Sequence, residues 1–416
     1  MRILHLADLH LGKIVHEVAM TDDQAHVLEQ IHALVREAAV EVVAITGDVY
    51  DRAIPPVQAT TLMDDFLARL VLDLGVRVIL TPGNHDSPER LSFGSRLLRE
   101  RGLYIAPGLF IAPGLFIAPG LSSAPGLSSA PSLSASTPTS AIQPITLHDA
   151  HGPVTFLPLP YISPVMLKET EDDLALGDFD EAMRRVVAGL PQAAGRTVCL
   201  GHCFTLGGEG CESERPLSIG GASMVDPGHF RPYHLTLLGH LHRPQKVADT
   251  VFYAGSPLKY SFSEAAHAKS AALYDLGADG TFTRELVPLT PRRDLRLVTG
   301  ALDELLAKAE GDPGREDYLW IELTDPGALF DYAAKLRAVY PGVLNITRTA
   351  YSALGQGGEG GIEIRGKTEW EVTRAFFSHV VEGGLDEREE AVMRAVVDEM
   401  LRLDTPCSVE GGGATA

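Results

Sequence analysis

A recurring unit dominates the first quarter of the chain: a short apolar run, a loop opening on a small or acidic residue, then apolar positions at helical spacing. Arg2 to Ala7, Val42 to Thr46 and Val76 to Leu80 are the apolar runs. Between them, Asp22 to Ala39 carries Val27, Ile31, Leu34, Val35 and Ala38 on one stripe. The segment after Pro55-Pro56 does the same with Leu62, Phe66, Leu70 and Leu74. Apolar residues at i, i+3, i+4 and i+7 predict helices, and short continuous apolar runs predict buried strands. Strands alternating with helices predict a parallel-rich sheet.

The pattern resumes at Val154 to Leu157, with a helix around Phe179 to Gly189 and strands at Thr197 to Leu200 and Leu235 to Leu238. Val251 to Tyr253, Ala271 to Leu276 and Thr281 to Val287 are expected as antiparallel strands finishing a second sheet. After Asp294, strands at Tyr318 to Leu323 and Leu344 to Tyr351 flank a helix at Gly327 to Val339. Gln356 to Gly361 is read as a flexible break before amphipathic helices at Glu369 to Val381 and Glu387 to Leu403, and the tail from Pro406 as disordered. The resulting domains are 1–290, 294–355, a helix pair at 367–404 and a tail at 405–416.

One stretch breaks the pattern. Leu103-Tyr104-Ile105-Ala106-Pro107-Gly108 is echoed by Leu109 to Gly114 and Leu115 to Gly120, then decays, and no Asp, Glu, Lys or Arg falls between Arg101 and Asp149. Pro107, Pro113 and Pro119, each followed by glycine, rule against a spanning helix. Residues 103–145 are therefore expected as a low-complexity surface insertion, mobile and without a catalytic role.

Composition narrows the class. A chain of 416 residues with 45% hydrophobic and 22% charged residues is a multidomain globular protein. His5 and Asp8 interrupt the first apolar run, so no signal peptide is expected there. Cys199, Cys203, Cys211 and Cys407 show no paired metal-site spacing, and reduced thiols in a cytoplasmic protein are expected. The formal net charge of −20 argues against gripping nucleic acid by bulk electrostatics. It leaves room for binding through local patches or through a metal cluster, whose own charge inverts the local field.

The candidate chemistry lies where the strands end. Asp8-Leu9-His10 follows the first strand, Gly47-Asp48 the second, and Gly83-Asn84-His85-Asp86 the third. Gly201-His202 and Gly239-His240-Leu241-His242 follow two later strands. Residues two apart in extended backbone point to the same side, so Asp8 with His10, and His240 with His242, each present half of a metal-binding face. Any one block alone is equally a polar turn. His5, inside its strand, reads as a core or supporting histidine.

The five blocks in this order resemble the calcineurin-like metallophosphoesterase superfamily. The segment Ser213 to Gly221 and the layout after Asp294 are similar to SbcD-type nuclease subunits within it. That resemblance implies an α/β fold: a four-layer α-β-β-α sandwich with a small α/β capping domain and a carboxyl-terminal helix pair. It implies two metal ions, the first held by Asp8, His10, Asp48 and His242, with Asp48 bridging to a second held by Asn84, His202 and His240. Carboxylate, amide and imidazole donors suit manganese. His85 is implied as a proton donor or charge stabiliser at the leaving oxygen, Asp51 as the carboxylate that orients it, and Arg52 as a candidate phosphate contact; Asp86 is expected to brace its loop. The implied activity is cleavage of double-stranded DNA ends and hairpins in repair and recombination, with an SbcC-type coiled-coil ATPase as partner, two copies of each subunit, and docking through the carboxyl-terminal helices. The same five blocks also support a phosphatase or phosphodiesterase acting on small molecules, or a metal-free scaffold descended from one. The domains after Asp294 favour the nuclease, because a small-substrate enzyme has little use for them.

Overall fold

A computed structural model of the chain describes residues 1–108, 142–164, 178–190, 195–214, 223–326, 329–349, 369–380 and 385–403. The three expected amino-terminal strands form and lie side by side. β1 (Arg2–Leu6), β2 (Val42–Thr46) and β3 (Arg77–Thr81) pair in parallel, in register Ile3 with Val42 and Val42 with Arg77. β4 (Leu103–Ile105) adds in parallel to β3. One side of these strands (Leu4, Leu6, Val43, Ile45, Val78, Leu80) packs on the apolar stripes of α1 (Thr21–Glu37) and α2 (Val57–Ala68). The other side (Ile3, Val42, Ala44, Ile79) packs on a second sheet. Both faces are covered, which is why these strands read as continuous apolar runs rather than alternating ones.

The second sheet contains β5 (Ile145–Asp149), β6 (Gly152–Pro158), β7 (Arg196–His202), β8 (Leu235–Gly239), β9 (Gln245–Ala248) and β10 (Val251–Tyr253), in the order β9-β10-β8-β7-β6-β5. Val154, Phe156, Val198, Leu200, Leu235 and Leu237 face the first sheet. Leu157, Cys199 and Leu238 face outward onto α3 (Phe179–Ala188), through Phe179, Ala182, Met183 and Val186. The layers run helix, sheet, sheet, helix, the four-layer sandwich expected from the sequence.

Two expectations are corrected. β11 (Ser270–Leu276) and β12 (Phe282–Pro288) are antiparallel as expected, but they extend the first sheet, not the second: β11 lies against β1, with Arg2 opposite Asp275. The reason is that β11 is apolar on both sides. Ala272, Tyr274 and Leu276 enter the core between the sheets, while Ala271 and Leu273 join the core on the helical side. Such a strand needs an interior place, and the more polar β12 takes the edge. β10 does join the second sheet, but parallel to β8 and antiparallel only to β9.

The insertion also starts later than expected. The first copy of the repeat is strand β4, with Leu103 and Ala106 buried. The remaining copies, at 109–141, lie outside the described residues, as do Gln356 to Gly361 and the tail.

Beyond Asp294 lies a three-stranded sheet, β13 (Leu295–Gly300), β14 (Tyr318–Leu323) and β15 (Val343–Arg348), with β14 central. The α-helices described in this part of the chain are α4 (Leu302–Lys308), α5 (Tyr332–Val339), α6 (Glu369–Val380) and α7 (Glu387–Leu403). The helix expected from Gly327 starts at Tyr332. The chain forms two compact units: Met1–Val298 with Ala309–Trp320 and Arg337–Asn345, and Thr299–Lys308 with Ile321–Leu336 and Ile346–Ala416.

The edge of the second sheet is pinned by a buried ion pair. Arg196 at the start of β7 donates to both oxygens of Asp149 at the end of β5, at 2.6 and 2.8 Å, with the side chains only 5% and 3% exposed. The Arg196 guanidinium holds the Asp149 carboxyl far below the usual carboxylate range. A depressed folded-state pKa stabilises above the unfolded value of about 3.9, and that contribution is lost as pH falls toward the folded value. Asp149→Asn should therefore cost about 3 kcal/mol at pH 7, since it strands a buried arginine. The gap to wild type should narrow below about pH 4. Urea unfolding of both proteins at pH 7 and pH 3 checks this, and a gap independent of pH would refute it.

Candidate metal centre

The five sequence blocks meet at one place because both sheets present the carboxyl ends of parallel strands there, where open α/β sheets put their chemistry. β1, β2 and β3 deliver Asp8 and His10, Asp48, and Asn84 and His85; β7 and β8 deliver His202, and His240 and His242. The two sets are tied directly. His202 Nδ1 donates to the Thr46 carbonyl at 2.9 Å, and the Asp8 carboxylate accepts from the His240 backbone N–H at 2.9 Å. His202 is thereby turned so that Nε2 faces inward.

Backbone must come unusually close for this, and three glycines permit it. A Cβ on Gly239 would sit 1.9 Å from the Thr46 carbonyl, and one on Gly47 would sit 2.2 Å from His202 Nδ1. A Cβ on Gly83 would fall 2.2 Å from Asp48 Oδ1 and 2.3 Å from Asp48 N. Asp8, His10, Asp48 and His240 themselves have positive φ, at 53°, 44°, 47° and 107°. Non-glycine residues adopt this only at a cost, and such strain concentrates at functional sites.

The donors form two groups, each able to hold a metal ion: Asp8, His10 and His242, and Asp48, His202 and His240. Asp48 lies between them, with Oδ2 3.7 Å from His10 Nε2 and 3.4 Å from His202 Nε2. Asn84 Oδ1 is 2.9 Å from His202 Nε2 and 3.1 Å from His240 Nδ1, so it belongs with the second group. His10 and His242 face each other Nε2 to Nε2 at 3.1 Å, an arrangement that converging ligands make naturally. His10 Nδ1 and Asn84 Nδ2 are buried with no hydrogen-bond partner among the described residues. The donor set of carboxylate, amide and imidazole fits a pair of divalent ions.

The electrostatics agree. Burial pushes Asp8 up to about 7 and drives His240 down to about 3 and His10 well below its ordinary value. Burial also opposes charge on Asp48 and His202, but their mutual attraction prevails: Asp48 is held low and His202 is raised to about 9. Burial thus opposes charge on every one of these groups, a cost that cations beside the carboxylates would offset.

The His85 backbone N–H donates to Asp48 Oδ1 at 2.8 Å, and its ring stands edge-on to His10 with centroids 4.8 Å apart. His85 is half-buried at the rim, beside the two groups. Asp51 holds the His85 ring through its main-chain carbonyl, which accepts from Nδ1 at 2.8 Å. The Asp51 carboxylate instead accepts from Lys13 at 2.7 Å and lies 3.7 Å from His10 Nδ1. Its contact with His85 is thus not the carboxylate contact expected from the sequence. Arg52 is exposed, 4.0 Å from Asp51. Asp86 accepts from the backbone N–H groups of Val49, Tyr50 and Gly83 and so clamps the β2 and β3 loops together. His5 is buried and bonded to Thr46 Oγ1 at 2.8 Å.

Sequence reading missed the groups behind His242. Its Nδ1 lies 2.9 Å from Ser213 Oγ and 3.2 Å from Glu264 Oε1, and its backbone N–H donates to Glu214 at 2.7 Å. Glu264 is fully buried and paired with buried Lys269. The only sequence signal was a charged residue placed before a run of small apolar ones, which does not distinguish a buried pair from a solvated one.

The comparisons agree with this geometry. Residues 1–244 match the calcineurin-like phosphoesterase family, and the chain belongs to it. Residues 291–381 match the domain family described as the type 5 capsule protein repressor C-terminal domain, SbcD_C. A calcineurin-like phosphoesterase domain followed by this one is the SbcD architecture. Among solved structures, a dimetal phosphatase from Danio rerio is similar at 13% identity, over 70% of this chain and 96% of that one, with a TM-score of 0.39. TT1561 of Thermus thermophilus is similar at 12% identity, over 68% and 98%, with a TM-score of 0.36. The clustered histidines and aspartates on this fold make the chain a metal-dependent hydrolase with a two-metal phosphoesterase site. Among the described residues, no helix is long and apolar enough to cross a membrane.

Gly83→Ala should push Asp48 off its position and lower affinity for divalent ions by roughly tenfold or more, with a stability cost of about 1–3 kcal/mol. Gly311, where an added Cβ meets open space, supplies the control substitution to Ala. Metal content after dialysis and thermal unfolding of both variants decide it. Full metal retention by Gly83→Ala would show that the Gly83–Asp48 contact is dispensable.

Proposed function

We propose that the chain is the nuclease subunit of an ATP-regulated complex, cleaving double-stranded DNA ends exonucleolytically and single strands and hairpins endonucleolytically. The observation that carries this reading is the match of residues 291–381 to SbcD_C, a domain that follows the complete phosphoesterase site. Asp8, His10, Asp48 and His242 would hold the first ion, and Asn84, His202 and His240, with Asp48, the second. Manganese suits these donors best. Bound ions of this kind polarise a phosphoryl group and lower the pKa of water. His85, oriented by the Asp51 carbonyl, donates a proton to the leaving oxygen. Cleavage of a small aryl phosphate but not of DNA would favour the small-molecule phosphodiesterase reading instead.

The partner is an SbcC-type ATPase, and the docking element is the pair α6 and α7. Arg374 pairs with Glu390 at 2.7 Å, and the Arg394 guanidinium lies 5.8 Å from the centre of the Trp370 ring. These contacts hold the helices to each other while Val392 and Val396 remain 59% and 47% exposed. An exposed apolar stripe on an acidic helix pair suits a protein groove better than DNA.

Two experiments test the reading. His85→Ala should abolish manganese-dependent DNA cleavage while leaving both ions bound, whereas His240→Ala should lower the metal content; loss of both ions from His85→Ala would sink the assignment. Truncation after Gly366 should preserve metal content and basal cleavage but abolish co-purification with an SbcC-type ATPase. A truncated chain that still forms the complex places the docking surface elsewhere.

A further inference from the structure

Behind the ring of His242 lies a charged cluster with no part in the donor set. Glu264 and Lys269 form an ion pair, 0% and 4% exposed at the side chain. Each member of that pair makes one contact with His242. Glu264 Oε1 faces His242 Nδ1 at 3.2 Å and accepts from Ser213 Oγ and from the Tyr260 backbone N–H. Lys269 Nζ donates to Glu264 Oε2, to the His242 carbonyl at 2.8 Å and to Ser256 Oγ at 2.8 Å. Ring and main chain of His242 are thus gripped from the same side.

The consequence for the ring is specific. With Glu264 and Ser213 beside it, Nδ1 carries the hydrogen, and the lone pair is left on Nε2, which faces His10. A carboxylate behind a ligating histidine fixes its tautomer and makes the inward nitrogen a better donor. A buried charged pair contributes little to stability compared with an apolar pair of the same shape. Its direction onto His242 gives it a different purpose.

Cys211 also lies near, and with His242 and Glu264 forms another group whose geometry could hold an ion. Those donors are already engaged: Cys211 Sγ is 3.0 Å from Ser213 Oγ, and the Lys269 ammonium already sits against Glu264. The cluster therefore serves the ion on the far side of the ring.

We infer that Glu264, backed by Lys269, is a positioning residue that sets the donor strength of His242 toward the first metal ion. The inference rests on the two-metal reading. It is tested with the full-length chain carrying Glu264→Gln together with Lys269→Met, which removes both charges and keeps the volume. Three measurements are needed: urea unfolding without metal, Mn²⁺ titration followed by the paramagnetic signal of free ion, and the visible spectrum of the Co²⁺-loaded protein. Without metal, the double variant should unfold at a urea midpoint close to wild type. Its affinity for one of the two Mn²⁺ ions should fall by about 10–100-fold, the other ion should bind as before, and the Co²⁺ spectrum should shift. Glu264→Gln alone, which strands the lysine, should lose the same affinity and also unfold earlier. A double variant that binds both ions like wild type overturns the inference and leaves the two-metal reading standing. A wild type that takes up no Mn²⁺ overturns both.

Discussion

The carbonyl of Thr46, at the last residue of β2, is the point on which the site depends. It accepts from His202 Nδ1 at 2.9 Å, and Gly239 lies so near it that a Cβ there would sit 1.9 Å away. One peptide oxygen of the first sheet is thus enclosed by two strand ends of the second. Each sheet alone brings only part of the donor set: carboxylates, an amide and His10 from one, three imidazoles from the other. The apolar core between the sheets, centred on Ile3, Ala44, Phe156, Val198 and Leu237, supplies the force that brings them together. The Thr46 contact fixes how far they slide.

That convergence is strained locally. Asp8, His10, Asp48 and His240 take positive φ, and such positions cost about 1–3 kcal/mol each. They are held by bonds to one another's loops: the Asp8 and His10 backbone N–H groups donate to the Gly47 and Asp48 carbonyls at 3.1 and 2.9 Å. Asp86 closes the third side, accepting from the β2 and β3 loops. Asp86, expected from the sequence to brace its loop, is a clamp on the frame that carries the candidate donors.

Much of this was legible in the sequence. The strands that failed to alternate, Val42 to Thr46 above all, announced burial on both faces and so two layers of cover. The metal-site candidates were legible because each followed such a strand; the period-two pairing was not, since Asp8, His10 and His240 leave extended backbone at positive φ and His240 and His242 fall in different donor groups. What could not be read was anything set by tertiary pairing. β11 and β12 have the pattern of any antiparallel pair, and which sheet takes β11, apolar on both sides, depends on the open flank that β1 supplies. Asp51 was expected to act through its carboxylate, but Lys13 is close enough to take that group, leaving the carbonyl for His85. Glu264 and Lys269 are charged residues in a local pattern that says surface, and their burial follows from facing each other.

The candidate donors' bonds to the main chain of neighbouring loops have a consequence for how the site tolerates change. The Asp8 carboxylate accepts from the His240 N–H, His202 donates to the Thr46 carbonyl and Asp48 accepts from the His85 N–H. Each bond ties a side chain of one loop to the backbone of another, so a shift at any one strand end carries over to a donor on its neighbour. Substitutions at these strand ends are therefore coupled through shared backbone and do not add as independent sites would.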